Sequence, residues 1–561
     1  MKSEGFAGLE TVLADLLASF TAQTASQDYC HDLRQDCRQD SRHDFHQDFH
    51  QLVSRLTLAL ADGHSCLPVT AREEKIALAS GCADESGCLP LTVFAHRLYL
   101  SRYFHYEKRL ATNCRRLATE DEPWRETELF SQLLPADPGQ RQAAEIALRR
   151  RLCLISGGPG TGKTATVVKI IALLLEAHGP ALKIALCAPT GKAAMRLKES
   201  VAANLERLSL TPEISQAIPR DSHTLHRLLG ARVHSPHFRH NALNPLPYDV
   251  VIVDEASMAD LALMSKLTEA LPEPARLILL GDQDQLASVE SGAVFAEMLT
   301  GLPDNRAVLT TTYRFNPAIG AFAQAIRAGD TKAAWTLAAS PDYPEIHLEE
   351  RASIESLWAE RLPAYMEIAR NFPTKTSIDE IFAIFRQLQT LCAARTGAWG
   401  VAGVNQRVER LLRRKGHAIG HDLWYIGRPV LLRRNDSSLG LYNGDLGICL
   451  PGDSLDESPG GGFRVWFDGD GGFRPFPPWR LPEHDTAWAM TIHQSQGSEC
   501  AEVLLILPEE GHPVLSRQLL YTGVTRARDT VRLVASEDIF RLALERPVAR
   551  HSGLAALFSH M

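Results

Sequence analysis

The sequence holds no CxxC pair, no long apolar run and no surplus of positive charge, and each absence removes a class of protein. Its 11 cysteines are scattered, and Cys153, Cys187 and Cys449 lie inside apolar stretches. That pattern reads as reduced, buried thiols in a cytoplasmic protein rather than a disulfide framework. The cysteines between Cys66 and Cys114 match no metal-ligand spacing, so small apolar side chains are the reading there as well. No run of about 18 apolar residues occurs, which leaves no candidate transmembrane helix. The opening stretch MKSEGFAGLETVLADLLASF is an amphipathic helix pattern without a basic start or a small-residue cleavage site, so it is not read as a secretory signal. Net charge is −8 and pI about 6.2. That argues against a small basic nucleic-acid module but leaves binding in a groove open, because the local field counts for more than the total.

What is present is a chain of 561 residues with 45% hydrophobic and 22% charged composition. It is too long for one core and divides into about three to four domains. Residues 1–118 carry no nucleotide motif. Within them, HDLRQDCRQDSRHDFHQDFHQ (31–51) repeats every four residues, with Asp32, Asp36, Asp40, Asp44 and Asp48 in step. Leu33, Cys37, Ser41, Phe45 and Phe49, continuing to Leu52 and Leu56, form a helical stripe. The repeat predicts a low-complexity helix with a solvated charged face. A metal site at His46 and His50, one helical turn apart, is the rival reading.

From about residue 137, short apolar strands alternate with helical patterns: LCLI (152–155), KIALCA (183–188), DVVIV (249–253), RLILL (276–280) and AVL (307–309). Continuous apolar strands of this kind are buried on both faces, so a doubly wound parallel α/β domain is expected. A second set follows in TIH (491–493), VLLIL (503–507) and TVRLVA (530–535). Between the two sets, residues 427–480 change to short strands broken by Asn-Gly, Pro-Gly and Gly-Gly turns, which predicts a small antiparallel barrel with a flexible loop at 453–462.

Gly157, Gly158, Pro159, Gly160, Thr161, Gly162, Lys163 and Thr164 fit GxxxxGK[ST], between a strand and a helix pattern. In that context the glycines let backbone N–H groups turn onto phosphate oxygens. Lys163 is expected to reach the β and γ phosphates of ATP, and the Thr164 hydroxyl to ligate Mg²⁺. About 90 residues on, DVVIVDEAS delivers Asp254 and Glu255 to the carboxyl end of a strand, where such sheets build their sites. Asp254 suits the Mg²⁺ shell, and Glu255 the base that orients or deprotonates attacking water. A switch needs one such domain, whereas a motor needs a second that supplies a cation; Arg314 and Arg526 are the candidates.

The ordered set GGPGTGKT, APTGKAA, TLHRLLG, VDEASM, GDQDQLASVESG, TTYRF, MTIHQSQGSE and YTGVTRAR, with GQRQAA upstream, runs across residues 140–528 and resembles the motifs of superfamily 1 helicases. HSCLPVT, HRLYLSRYFHYEKRLA, RTGAWGVAGVN and GRPVLLRRNDSSLGLYNGDLGI lie outside those motifs and resemble the RecD family within it. The resemblance covers nearly the whole chain, most weakly at residues 1–60. It implies two RecA-like P-loop domains (119–328, and 329–426 with 483–561), a helical partner-binding domain at 1–118 and an SH3-like β-barrel insert at 427–482. It further implies an ATP-dependent 5′→3′ DNA helicase with RecB and RecC as partners, acting on single-stranded DNA and double-stranded ends, with the nuclease centre in RecB and no membrane involvement. Gln140 resembles the adenine-reading glutamine, with Gln142 its rival. Gln285 resembles the glutamine that couples the γ-phosphate to DNA, and Thr190, His226, Thr491 and His493 match DNA-facing positions. Arg433 and Arg434 fit DNA, a partner or a solvated turn equally well.

Overall fold

The computed structural model describes residues 40–560 apart from 119–123, 135–136, 233–234, 287–291, 313–315, 418, 420–423, 437, 453–461, 470–471 and 549. The first part of the four-residue repeat, residues 31–39, lies outside the described residues. Its continuation is a helix, Asp40–Ala61, and the apolar stripe is realised from Phe49 onward, where Phe49, Leu52 and Leu56 are buried. Asp48 faces outward and pairs with Arg72 at 2.9 Å. The helix packs on a four-stranded sheet, in the order Leu67–Pro68, Arg97–Leu100, Leu91–Phe94, Ala83–Asp84, through Leu91, Val93 and Leu98. The domain expected to be helical thus contains a sheet. Its strands are two to four residues long, too short for a period of two to register in sequence.

Helix α1 (Ser101–Leu117) buries Phe104, Glu107, Leu110, Ala111, Cys114 and Leu117, a stripe at three- and four-residue spacing. It joins this domain to the first lobe. That lobe is built on six parallel strands: β1 (Leu152–Gly157), β2 (Ile184–Ala188), β3 (Ser222–Thr224), β4 (Val250–Val253), β5 (Arg276–Gly281) and β6 (Arg306–Leu309). Their order is β6-β1-β5-β4-β2-β3. β1, β2, β4 and β5 are buried at every residue, as their unbroken apolar runs require. Helices α2 (Pro138–Arg149), α3 (Lys163–His178) and α4 (Gly191–Leu205) flank the sheet.

The second lobe is a five-stranded parallel sheet of β7 (Ile346–Leu348), β8 (Leu388–Cys392), β9 (Ala489–Thr491), β10 (Cys500–Ile506) and β11 (Ala527–Val534), in the order β7-β11-β10-β8-β9. Helix α5 (Arg517–Val524) connects β10 to β11. Between β8 and β9 the chain forms the antiparallel sheet expected for the insert, from Pro429–Leu432, Leu446–Pro451, Phe463–Gly469, Gly472–Phe476 and His484–Thr486. Among the described residues its edge strands Gly472–Phe476 and His484–Thr486 do not pair with each other, so the pairing shown is that of a five-stranded antiparallel sheet. Among the described residues no helix is long and apolar enough to cross a membrane.

Helix α6 (Leu554–His560) returns to the first lobe and buries Leu554, Leu557 and Phe558 against Leu110, Cys114, Met298 and Leu299. The junction is fastened by a buried carboxylate. Glu107 accepts from Ser65 Oγ (2.5 Å), Tyr99 Oη (3.1 Å), Ser552 Oγ (2.9 Å) and the Gly553 N–H (3.1 Å). Burial raises its carboxyl above the ordinary range, opposed by those donors. Glu107→Ala removes the shared acceptor of Tyr99, the Gly553 N–H and two serines, leaving the buried donors among them unpaired, which costs about 3 kcal/mol. Amide exchange across residues 552–558 is expected to speed up roughly a hundredfold; unchanged protection there would show that the carboxylate does not hold the junction.

Candidate active site

β1 carries the chain through the middle of the first sheet and releases it at Gly157. A Cβ at Gly157 would lie 2.6 Å from Thr161 Oγ1, so the loop folds back this tightly only with glycine there. Gly160 and Gly162 take φ of +77° and +79°, the left-handed region that glycine enters without strain. Pro159 is buried, and Thr161 donates from Oγ1 to Gly158 O at 2.8 Å, closing the loop. Gly162 heads the 16-residue helix α3, whose free N–H groups and dipole make an anion site. Lys163 Nζ donates to Gly157 O (2.7 Å) and Gly158 O (3.1 Å), and so is folded over its own loop where phosphate oxygens would replace those carbonyls.

At the end of β4, Asp254 Oδ2 lies 3.5 Å from Thr164 Oγ1. A hydroxyl and a carboxylate brought together in this way are hard oxygen donors, which fit Mg²⁺. Burial pushes the Asp254 carboxyl up, the charge of Glu255 adds to this, and Lys163 opposes it. Glu255 has φ +51° and ψ +38°, left-handed backbone on a residue that carries a Cβ. Strain of this kind, about 1–3 kcal/mol, collects at functional sites.

Gln285 is buried, and its Nε2 donates to Asp282 Oδ2 at 3.1 Å. Asp282, just beyond β5, also faces Lys163, whose charge lowers its pKa. Burial is the larger influence and pushes the carboxyl up to about 6. Because the folded value lies above the ordinary one, ionising Asp282 costs folding free energy. The cost is absent below about pH 4 and complete once pH passes about 6. Asp282→Asn removes that cost, so its melting temperature relative to the parent chain is expected to rise by a few degrees between pH 4 and pH 7. A difference that stays flat across that range would show that the carboxylate is not held in this environment.

The second lobe closes directly on these groups. Tyr521 Oη donates to Asp282 Oδ2 at 3.2 Å, and a Cβ on Gly158 would lie 2.9 Å from the same hydroxyl. The Leu286 N–H donates to Thr522 Oγ1 (3.0 Å), and Gln496 Nε2 donates to Leu286 O (2.8 Å). Asp282 and Tyr521 are residues that sequence reasoning passed over, although both stand inside motifs it singled out. Arg526 is buried in the second lobe, with Nε donating to Thr522 O (3.1 Å) and Nη1 to Ser498 O (3.3 Å), so its described bonds go to that lobe's carbonyls and not to the glycine loop. Arg314 lies outside the described residues.

Of the two adenine-reading candidates, Gln140 is buried on α2 with Oε1 accepting from Lys169 of α3 at 2.9 Å, while Gln142 is exposed. Thr190 caps α4, its hydroxyl accepting from the Ala193 N–H at 3.2 Å. Beside it, Gly191 lies under Tyr442 of the insert, 3.2 Å from that ring to where a Cβ would be. His226 is exposed, with its ring edge-on to Phe238 at 5.8 Å. Thr491 ends β9, bonded to Gln494 Oε1 at 3.0 Å, and burial lowers the pKa of His493, with Arg550 adding to this. The Arg433–Arg434 pair divides: Arg433 is paired with Glu483 (3.0 Å) and Asp485 (3.5 Å), and Arg434 is exposed.

Residues 140–291 match the family model of an AAA domain, and residues 486–534 that of the UvrD-like helicase C-terminal domain. The RecBCD enzyme subunit RecD of Mycolicibacterium smegmatis is 42% identical over 475 residues, covering 83% of this chain and 82% of that protein. The ATP-dependent RecD2 DNA helicase of Deinococcus radiodurans is 32% identical over 80% of this chain and 57% of that protein. Among solved structures, the Pif1 helicase from Candida albicans aligns over 76% of this chain and 99% of that chain with 16% identity and a TM-score of 0.38. Kinship rests on the sequence relatives, at an identity of 42% over most of both chains: the chain belongs to the RecD family.

Proposed function

We propose that the chain is an ATP-driven DNA helicase that moves 5′→3′ on a single strand. It works in the cytoplasm with RecB and RecC to process double-strand breaks for recombinational repair and to degrade linear DNA. The observation that carries this reading is the direct contact of the second lobe, through Tyr521, Thr522 and Gln496, with the groups beside the glycine loop. A nucleotide bound there lies against both lobes, so its terminal phosphate can bias how they sit on a strand.

In this reading the backbone of Gly157–Thr164 and the α3 N-terminus hold the phosphates, with Lys163 turning from its own loop to the β and γ oxygens and Gln140 beside the base. Thr164 and Asp254 would hold Mg²⁺, which when bound neutralises phosphate charge. Glu255 orients the attacking water, and Gln285 reads the γ-phosphate. Arg314 and Arg526 supply positive charge from across the cleft, Arg526 by leaving the carbonyls that now hold it. Thr190, His226, Thr491 and His493 line the strand path.

Kinship to the Deinococcus helicase supports a second reading, in which the chain unwinds DNA without RecB and RecC. Purified chain, alone and with RecB and RecC, is expected to unwind 5′-tailed duplexes with ATP and to leave 3′-tailed ones paired when it acts alone. Preference for 3′ tails would overturn the polarity, and absence of any unwinding or DNA-stimulated ATPase would overturn the motor. Co-purification with RecB and RecC separates the subunit from the solitary enzyme.

A further inference from the structure

We infer that Tyr521 is a positioning residue of the ATPase, holding Asp282 in place from the opposite lobe while Gln285 turns to the nucleotide. The inference rests on the motor reading and adds to it a residue and a route across the cleft. Asp282 is 1% exposed, so its charge must be met by donors from the protein. Its Oδ1 accepts from the Asp284 N–H at 3.0 Å, within the same turn. Its Oδ2 accepts from Gln285 Nε2 at 3.1 Å and from Tyr521 Oη at 3.2 Å, one donor from each lobe.

The two donors have different freedom. In the proposed function Gln285 reads the γ-phosphate, and swinging its amide toward a phosphate draws it away from Oδ2. Tyr521 is 5% exposed on α5, and its hydroxyl is confined between Asp282 and Gly158. When Gln285 leaves, Tyr521 is the donor that remains on Oδ2, so the carboxylate is not stranded. It is also the link by which α5 follows the turn Gly281–Leu286. The neighbouring bonds from Leu286 N to Thr522 Oγ1 and from Gln496 Nε2 to Leu286 O keep that turn seated against the second lobe.

Tyr521→Phe deletes the hydroxyl and keeps the ring. The ground state retains Gln285 on Asp282, so the loss falls on the step in which Gln285 has moved. The expected result is a fall in kcat of the DNA-stimulated ATPase of about tenfold, with KM for ATP within about twofold. Asp282→Asn keeps an oxygen for the hydroxyl but sheds the charge that needs it. In that background Tyr521→Phe is expected to cost less than about twofold further. A kcat unchanged in Tyr521→Phe, or losses that multiply in full in the double variant, would overturn the inference. Should Tyr521→Phe melt early, a rise in KM with a fall in kcat and lost thermal stability would identify a packing role and overturn it equally. Failure of the motor reading looks different, since the parent chain would then show no DNA-stimulated ATPase at all.

Discussion

Glu255→Gln is expected to lower kcat of the DNA-stimulated ATPase by about 10²–10⁴-fold while nucleotide affinity changes by less than about threefold. The size of the effect comes from where the backbone puts the side chain. β4 is buried at every residue and cannot shift, so it delivers the Asp254–Glu255 pair to a fixed point at the sheet's carboxyl end. There Glu255 adopts left-handed backbone, which helix or strand continuation would not demand of a glutamate. Its own N–H closes onto Asp254 Oδ1 at 2.8 Å, so the two acids take separate orientations: Asp254 toward Thr164, Glu255 free of that bond. Glutamine has the same shape and fits the same turn, but it cannot accept a proton. Loss of hydrolysis with retained binding, measured by single-turnover kinetics and nucleotide titration, is the signature of the base. A variant that hydrolyses normally would remove Glu255 from the chemistry.

Lys163→Gln has an effect of similar size by a different cause. Its ammonium donates to two carbonyls of its own loop, so the charge sits at the mouth of the α3 N-terminus. A phosphate oxygen substitutes for those carbonyls at little reorganisation cost, and preorganised charge of this kind is worth about 10²–10³ in kcat. Glutamine can replace one of the loop bonds but supplies no charge. Lys163→Gln should therefore fold, with a melting temperature close to the parent chain, yet fail to hydrolyse ATP and fail to unwind 5′-tailed duplexes. Normal unwinding by a folded Lys163→Gln chain would show that the glycine loop does not drive the motor.

The parts of the site that were legible in sequence are those whose chemistry is local. The glycine loop needs positive φ at Gly160 and Gly162 and close approach at Gly157, and those demands write themselves as glycines at fixed spacing. The core strands of the first lobe were legible because burial on both faces leaves unbroken apolar runs. β3, with the sequence Ser-His-Thr, was not, because it is short, polar and half-buried at the sheet edge. β8 was missed for a related reason, since Leu-Gln-Thr-Leu-Cys has a mixed start and only its last three residues are buried.

Asp282 and Tyr521 show the other limit. They are 239 residues apart, and nothing in either motif announces that one donates to the other. Motif resemblance drew attention to Gln285 and Arg526, and the hydroxyl beside them passed unnoticed. The arginine in turn shows what a motif leaves unsaid. Residue type suggested a cation aimed at the nucleotide, whereas the fold holds the Arg526 guanidinium on Thr522 O and Ser498 O. Its reach depends on how the lobes move, which residue type does not encode.

In the proposed mechanism the γ-phosphate decides how the two lobes grip a strand. The most direct measurement is the affinity of the chain for a fluorescent single-stranded oligonucleotide, read by anisotropy without nucleotide, with a non-hydrolysable ATP analogue and with ADP. Kd values are expected to differ by about tenfold or more between the analogue and ADP, and to converge in Lys163→Gln. Equal Kd values in all three states of the parent chain would contradict that mechanism.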